Sequence, residues 1–195
     1  MSIKITGTGS YIPLLTKKND DFLNAKFLNL DGSDFKVSND VIIKKFKSIT
    51  GIEERRYAKD HHNTSDLAFF AAEKAIKDAA LDQETIDYII VAHNFGDIKS
   101  GTKQSDSLPS LASRVKFNLG IKNPNCVCYD IIFGCPGWIE GVIQAYAFIK
   151  AGMAKKCLVI GAETLSRTYD VNDRDSMIYA DGAGASIVEL KIQIK

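Results

Sequence analysis

The chain has 195 residues, with 25 Lys and Arg against 24 Asp and Glu, for a formal charge of +1. That balance removes the bulk electrostatic case for binding nucleic acid or an anionic membrane, and 45% hydrophobic residues with 9% aromatics exclude a disordered chain. The length suits one domain of roughly 100–200 residues, and no apolar run approaches the roughly 20 residues that span a bilayer. The amino-terminal MSIKITGTGS lacks the basic-then-apolar pattern of a secretory signal. Cys126, Cys128 and Cys157 lie in apolar runs, where thiols act as small buried hydrophobes, and their spacing with Cys135 matches no metal-binding pattern. The expectation is a reduced, cytoplasmic protein without a metal.

In chain order, the apolar run 3–6 ends at Gly7-Thr8-Gly9 and predicts a short strand. Residues from about 11 to 63 are irregular and rich in Lys, Asn and Asp, so they read as a surface insertion. Within it, 40–49 predicts a basic amphipathic helix with Ile42, Ile43 and Phe46 on one side. Thr64-Ser65-Asp66 supplies N-cap formers for a helix whose apolar face, Ala68, Ala71, Ala72, Ala75, Ile76 and Ala79, is mostly alanine. Such a face predicts close approach to its neighbour. Residues 88–92 read as a strand buried on both faces.

The alternation then repeats. Ser107-Leu108-Pro109 predicts a helix start, followed by Leu111, Ala112, Val115 and Leu119, with Gly120 closing it. Residues 126–133 are strand-like, 136–151 helical with Ile139, Val142, Ile143 and Tyr146 in register, 156–160 a buried strand, and 183–194 a last strand. Strands alternating with helices imply a parallel or mixed sheet with helices on both faces, an α/β fold. An ending on a strand predicts that another chain covers that edge, or that these residues are part of something longer.

The most informative stretch joins Tyr129-Asp130-Ile131-Ile132-Phe133 to Gly134-Cys135-Pro136-Gly137. A buried strand runs into Gly134, and Pro136 opens a helix, so Cys135 falls at a helix N-terminus, where unpaired N–H groups and the helix dipole favour a thiolate. A sharp strand-to-helix turn also lifts a nucleophile clear of a sheet. A buried cysteine capping a helix fits the same local pattern.

Gly134-Cys135-Pro136-Gly137 resembles the active-site segment of the β-ketoacyl-acyl-carrier-protein synthase III family, condensing enzymes of the thiolase fold. Residues 4–13 (KITGTGSYIP), 50–56 (TGIEERR), 161–168 (GAETLSRT) and 180–185 (ADGAGA) resemble further family segments, in the family's order. The resemblance implies a fold of two similar βαβαβαββ halves, each a mixed five-stranded sheet, stacked into five layers. This chain would supply the first half, residues 1–195, and lack the second. It implies Cys135 as the residue acylated by an acyl thioester, before decarboxylative Claisen condensation with malonyl-acyl-carrier protein in fatty-acid or related biosynthesis. A His and an Asn would come from the second half. No cofactor is implied, coenzyme A or phosphopantetheine thioesters being substrates; the partners implied are acyl-carrier protein and a second copy of the chain. Arg174 matches a family arginine that lies against the coenzyme A adenine, although a local pair with Asp170 or Asp173 fits it too. Leu108 matches a residue that crosses the dimer interface into the partner's acyl pocket.

The chain departs from the family pattern in several places. Lys45 or Phe46 stands where the family often has Trp, and Ile49 replaces a usual Arg, which leaves an acyl-carrier-protein donor open beside coenzyme A. Residues 94–107 are longer and more polar than the family leads one to expect. His61 and His62 read as solvated, His93 as structural. Residues 181–184 read as a tight turn into a strand. The rival to an acyltransferase is a non-catalytic thiolase-fold dimerisation or scaffold partner, or a fragment lacking the His and Asn.

Overall fold

The computed structural model describes residues 2–191. The chain runs β1 (Ser2–Tyr11), β2 (Leu15–Lys18), α1 (Asn39–Thr50), β3 (Glu54–Tyr57), α2 (Thr64–Asp78), β4 (Tyr88–His93), β5 (Asp97–Ile98) and β6 (Ser105–Asp106). It continues through α3 (Leu111–Leu119), β7 (Val127–Ile132), α4 (Gly137–Lys150), β8 (Lys156–Thr164) and β9 (Asp181–Lys191). Five of the strands form one sheet in the order β1-β9-β8-β4-β7. β4 is parallel to both β7 and β8, whereas β9 is antiparallel to β8 and β1. This is a mixed sheet with helices on both faces, as the strand and helix alternation predicts, in the βαβαβαββ order that the resemblance implies.

β1 does not stop at Gly7. It runs through Gly9 to Tyr11, because the glycines let a helix lie directly on the strand. A Cβ on Gly7 would sit 2.4 Å from the Ala75 carbonyl oxygen, and one on Gly9 2.2 Å from that of Ala71. Ala68, Ala71, Ala72 and Ala75 of α2 are correspondingly fully buried, since larger side chains would hold the two backbones apart. α2 and α3 cover this face over a core that includes Ile89, Val91, Leu158, Ile160 and Ile187. On the opposite face Ala145 and Ile149 of α4 pack with Ile90, Cys157, Val159 and Val188.

Several expectations change. α3 begins at Leu111 with Ser110 as its cap, so Leu108 lies outside the helix; the residue before a proline is sterically barred from helical backbone. β7 is an edge strand paired only with β4, and its end residues Val127 and Ile132 are exposed. Asp181-Gly182-Ala183-Gly184 is strand from Asp181 onward, paired with β8 rather than turning. The last strand is described as far as Lys191; residues 192–194 of the expected strand lie outside the described residues. In α4 the buried positions are Gly137, Gly141, Ala145 and Ile149, and of the predicted stripe Val142 alone packs against this core. Ile139, Ile143 and Tyr146 are 56%, 54% and 49% exposed on its outer side.

The insertion is more than surface loop. Phe22, Phe27, Ile42 and Ile43 form a small core with Met177 from the other end of the chain. Arg55 is buried inside it, donating to the Lys17 carbonyl and to Asn19 Oδ1 at 2.6 Å, with its guanidinium 5.2 Å from the Phe22 ring. A buried guanidinium needs such acceptors to offset its desolvation.

Gly9→Ala is expected to cost about 3 kcal/mol, because backbone rather than a movable side chain occupies the space. Gly184→Ala, where nothing lies within 4 Å of the added Cβ, serves as the control. Urea unfolding of the two variants beside the parent protein measures both; equal midpoints would contradict the close seating of α2.

Candidate active site

The carboxyl ends of the parallel strands β4, β7 and β8 gather at one edge of the sheet, the edge where open α/β sheets hold their ligands. From β7 the chain passes through Ile132 and Phe133 to Gly134, whose φ of +66° is the left-handed backbone that favours glycine. Cys135 follows, then Pro136 as the N-cap of α4. The helix is seated tightly: a Cβ on Gly137 would lie 3.0 Å from Ala92 Cβ, and one on Gly141 2.7 Å from Val159 Cγ1. α4 therefore begins directly against β4 and β8, with its amino-terminal end at the strand ends.

Cys135 is exposed, unlike Cys126 and Cys157. Among the described residues its backbone N–H has no hydrogen-bond partner, whereas the Gly137 N–H donates to the Gly134 carbonyl at 3.0 Å and that of Glu140 to Pro136 at 3.0 Å. An exposed thiol beside a free N–H at the positive end of a 14-residue helix can attack a carbonyl carbon and stabilise the oxyanion that results. The capping cysteine buried in apolar surroundings, the alternative from the sequence, does not occur here.

Polar side chains frame the turn. His93 ends β4, with Nε2 3.0 Å from Asp130 Oδ2 and Nδ1 accepting the Gly96 N–H at 3.0 Å. With Nδ1 an acceptor, the proton sits on Nε2 and is donated to Asp130. Asp130 also accepts the Leu111 and Ala112 N–H groups at 2.7 and 2.9 Å, so it caps α3. Both nitrogens of His93 are engaged, as a structural histidine requires. Asn94 donates its backbone and side-chain N–H groups to Glu163 Oε1, each at 2.5 Å. Burial pushes the Glu163 carboxyl up, while the Asn94 hydrogen bonds hold it down. Asn94, Asp130 and Glu163 were not singled out from the sequence; their signal was a polar residue at or near the carboxyl end of each of three adjacent parallel strands.

The other expected residues lie elsewhere on the molecule. Arg174 lines a cleft of about 620 Å³ shared with Phe35, Val41, Lys45, Phe46 and Ile49. Its guanidinium is 4.8 Å from the Phe35 ring and 3.6 Å from the Asp175 carboxylate, not paired with Asp170 or Asp173. Those two carboxylates instead accept the N–H groups of Asn172 and Asp175, closing a local turn. Lys45 is exposed at the cleft, while Lys44 and Lys47 face Asp40 and Glu53. Leu108 is 85% exposed. The preceding segment 94–107 is held firmly: buried Asp97 accepts the Ser65 N–H, the Ser65 hydroxyl and Arg114, and Arg114 also reaches Asp106 at 2.8 Å. His61 is solvated, but His62 is half-buried 5.1 Å from the Phe70 ring, and burial pushes its pKa down.

Comparison with known proteins places this geometry among relatives. The family described as 3-oxoacyl-[acyl-carrier-protein (ACP)] synthase III matches residues 129–194. The chain is 40% identical over 189 residues to β-ketoacyl-[acyl-carrier-protein] synthase III 1 of Vibrio parahaemolyticus, covering 96% of this chain and 52% of the relative. A Neisseria gonorrhoeae β-ketoacyl-[acyl-carrier-protein] synthase III is 40% identical over 186 residues, covering 95% of this chain and 51% of the relative. The crystal structure of 3-oxoacyl-[acyl-carrier-protein] synthase III from Aquifex aeolicus superimposes with a TM-score of 0.78 at 35% identity, over 98% of this chain and 55% of that one. The chain spans about half the length of the curated relatives it matches.

Iodoacetamide at pH 8 is expected to modify Cys135 in the folded protein and to reach Cys126 and Cys157 only in denaturant. Both of the latter are buried, and burial pushes the Cys157 thiol up to about 12, which leaves almost no thiolate. Peptide mapping after timed quenching checks this; folded-state labelling of Cys157 as fast as that of Cys135 would contradict the placement.

Proposed function

We propose, for a chain that belongs to the 3-oxoacyl-[acyl-carrier-protein] synthase III family, the role of the amino-terminal, acyl-accepting half of a condensing enzyme in fatty-acid or related acyl-chain biosynthesis. The observation that carries the reading is the exposed Cys135 sulfur at the start of α4, beside its own unpaired N–H.

The thiolate of Cys135 attacks the carbonyl carbon of an acyl thioester, and an S–C bond forms as the carbonyl oxygen takes up charge. The Cys135 N–H donates to that oxygen, and the aligned peptide dipoles of α4 stabilise it. Collapse breaks the thioester C–S bond and expels the carrier as its thiolate, of coenzyme A or phosphopantetheine, which takes up from solvent the equivalent of the proton that the Cys135 thiol released. Malonyl-acyl-carrier protein then loses carbon dioxide, and the resulting enolate attacks the acyl-cysteine carbonyl. A C–C bond forms and the Cys135 thiolate departs. The His and Asn that assist decarboxylation come, on the family resemblance, from outside residues 1–195; His93 cannot serve without giving up Asp130 or Gly96.

Other features support the same reading. The outer side of α4 exposes about half of each of Ile139, Ile143 and Tyr146, and covering the exposed half of such a side chain is worth about 1 kcal/mol, as expected if a second half packs there. The free edge of β7 and the exposed Leu108 support a second copy as partner, with Leu108 reaching its acyl pocket. Arg174 and its cleft suit the carrier's phosphate-bearing arm. Lys45 and Phe46 stand there together, a cation beside an aromatic ring, which suits a phosphate-bearing donor and leaves an acyl-carrier protein open beside free coenzyme A. The compartment is the cytoplasm.

Incubation with acyl-carrier protein or coenzyme A thioesters, followed by intact mass, tests this. The expected result is one acyl group added to the protein and none to Cys135→Ala. Absence of an adduct with either donor class would favour a non-catalytic scaffold.

A further inference from the structure

We propose that Asn94 and Glu163 form a positioning pair for the turn that carries Cys135, the carboxylate aiming the amide and the amide oxygen facing Gly134. The inference rests on the reading of Cys135 as the reactive group. It concerns two side chains, Asn94 and the Glu163 of segment 161–168, that the acyl-transfer steps above do not use.

Both residues lie where α4 starts. On β4, Ile90 and Ala92 face α4, the first within its core and the second beneath Gly137, and Asn94 follows in the bend after the strand, its side chain beside Gly134. On β8, Val159 faces α4, Gly161 lies under Trp138, where an added Cβ would be 3.3 Å from Trp138 Cβ, and Glu163 is next. The strands are adjacent and parallel, their pairing ends with Ala92 opposite Gly161, and Asn94, in the bend just past β4, is held beside Glu163 by its hydrogen bonds. They are the first polar positions on this face beyond the amino-terminal end of the helix.

The hydrogen bonds fix the orientation. Glu163 Oε1 accepts both the backbone N–H and the side-chain Nδ2–H of Asn94, which locks the carboxylate to one residue in two directions. A carboxylate cannot face an amide oxygen without repulsion, so Asn94 has one permitted amide orientation, with Oδ1 turned away from Glu163. That oxygen lies 3.8 Å from where a Cβ on Gly134 would stand. Gly134 holds the left-handed backbone from which Cys135 is displayed, so the dipole facing the turn is set by a side chain on another strand. The other titratable groups near Glu163 are His93 and Asp181. His93 is committed to Asp130, and Asp181 accepts from the Ala58 and Ser166 N–H groups, so neither takes Asn94's place as the partner of Oε1.

The test follows the pH profile of Cys135 alkylation by iodoacetamide in the full chain, beside thermal melting, for Glu163→Gln, Asn94→Asp and the double variant. In Glu163→Gln the carboxylate is lost and the amide is no longer held one way. The expected result is a rate at pH 7 changed by about threefold or more, with the profile displaced, while melting moves by no more than about 2 °C. Asn94→Asp sets two carboxylates against each other and is expected to slow alkylation. The double variant, which restores one amide and one carboxylate with their places exchanged, is expected to recover much of the rate. Wild-type profiles in both single variants would overturn the proposal, as would losses that follow melting and are not recovered in the double variant. Should Asn94→Asp fail to fold, Asn94→Ser takes its place with the same expected displacement. Alkylation needs no acyl donor, so a protein that takes no acyl group but shows these shifts refutes the acyl-transfer reading and leaves the pair standing. An acylated protein with indifferent variants does the reverse.

Discussion

Helix α4 can begin where it does only because Gly137 and Gly141 present no side chains to the sheet. Ala92 and Val159 fill the spaces that Cβ atoms there would need, at 3.0 and 2.7 Å. The seating sets the height of the helix above β4 and β8, and so the place where its first free N–H groups emerge. A larger residue at Gly141 would lift the helix end, and with it the turn that displays Cys135. Packed interiors transmit such shifts because they have little free volume to absorb them. The reactivity proposed for one sulfur thus depends on a van der Waals contact two turns of chain away.

The opposite face uses the same device for a different end. α2 lies on Gly7 and Gly9 of β1 with its alanines inward, helix carbonyls against strand backbone. That contact anchors the edge of the sheet farthest from Cys135. The layer between is built of Ile89, Ile90, Val91, Leu158, Val159 and Ile160, buried alternately toward one helix layer and the other. A sheet gripped from both sides is a stiff platform, and catalytic geometry held on rigid elements is more precise than geometry held on loops.

Charge at the strand ends is handled by pairing rather than exposure. Asp130 holds His93 and caps α3, Glu163 holds Asn94, and Asp97 holds Arg114 and Ser65. Each is a buried or half-buried acid whose desolvation is offset by two or more donors. Together they tie the loops after β4 and before α3 to the frame on which the cysteine turn is built. The polar loop 94–107 gains its order in this way, through one buried aspartate.

Local pattern was enough for much of this. Alanine spacing in α2, the apolar run of β4 and the Gly134-Cys135-Pro136 turn each depend on neighbours within a few residues, and the structure places them where that pattern indicates. The pattern misjudged Gly7 and Gly9 as a stop because their role is a contact with α2, some 60 to 70 positions along the chain. It chose the wrong stripe of α4 because that helix is apolar nearly all round. Which side turns inward was decided by which side could approach β4 and β8 most closely. It passed over Asn94 and Glu163 because two polar residues some 70 positions apart look like ordinary strand ends until the folded sheet brings them within hydrogen-bond reach. The sequence by itself determined the elements and the chemistry of the thiol, since these arise from short-range backbone and dipole effects. Which faces meet, and which polar groups find one another, was left to the tertiary structure, because close packing and hydrogen bonding act between residues distant along the chain.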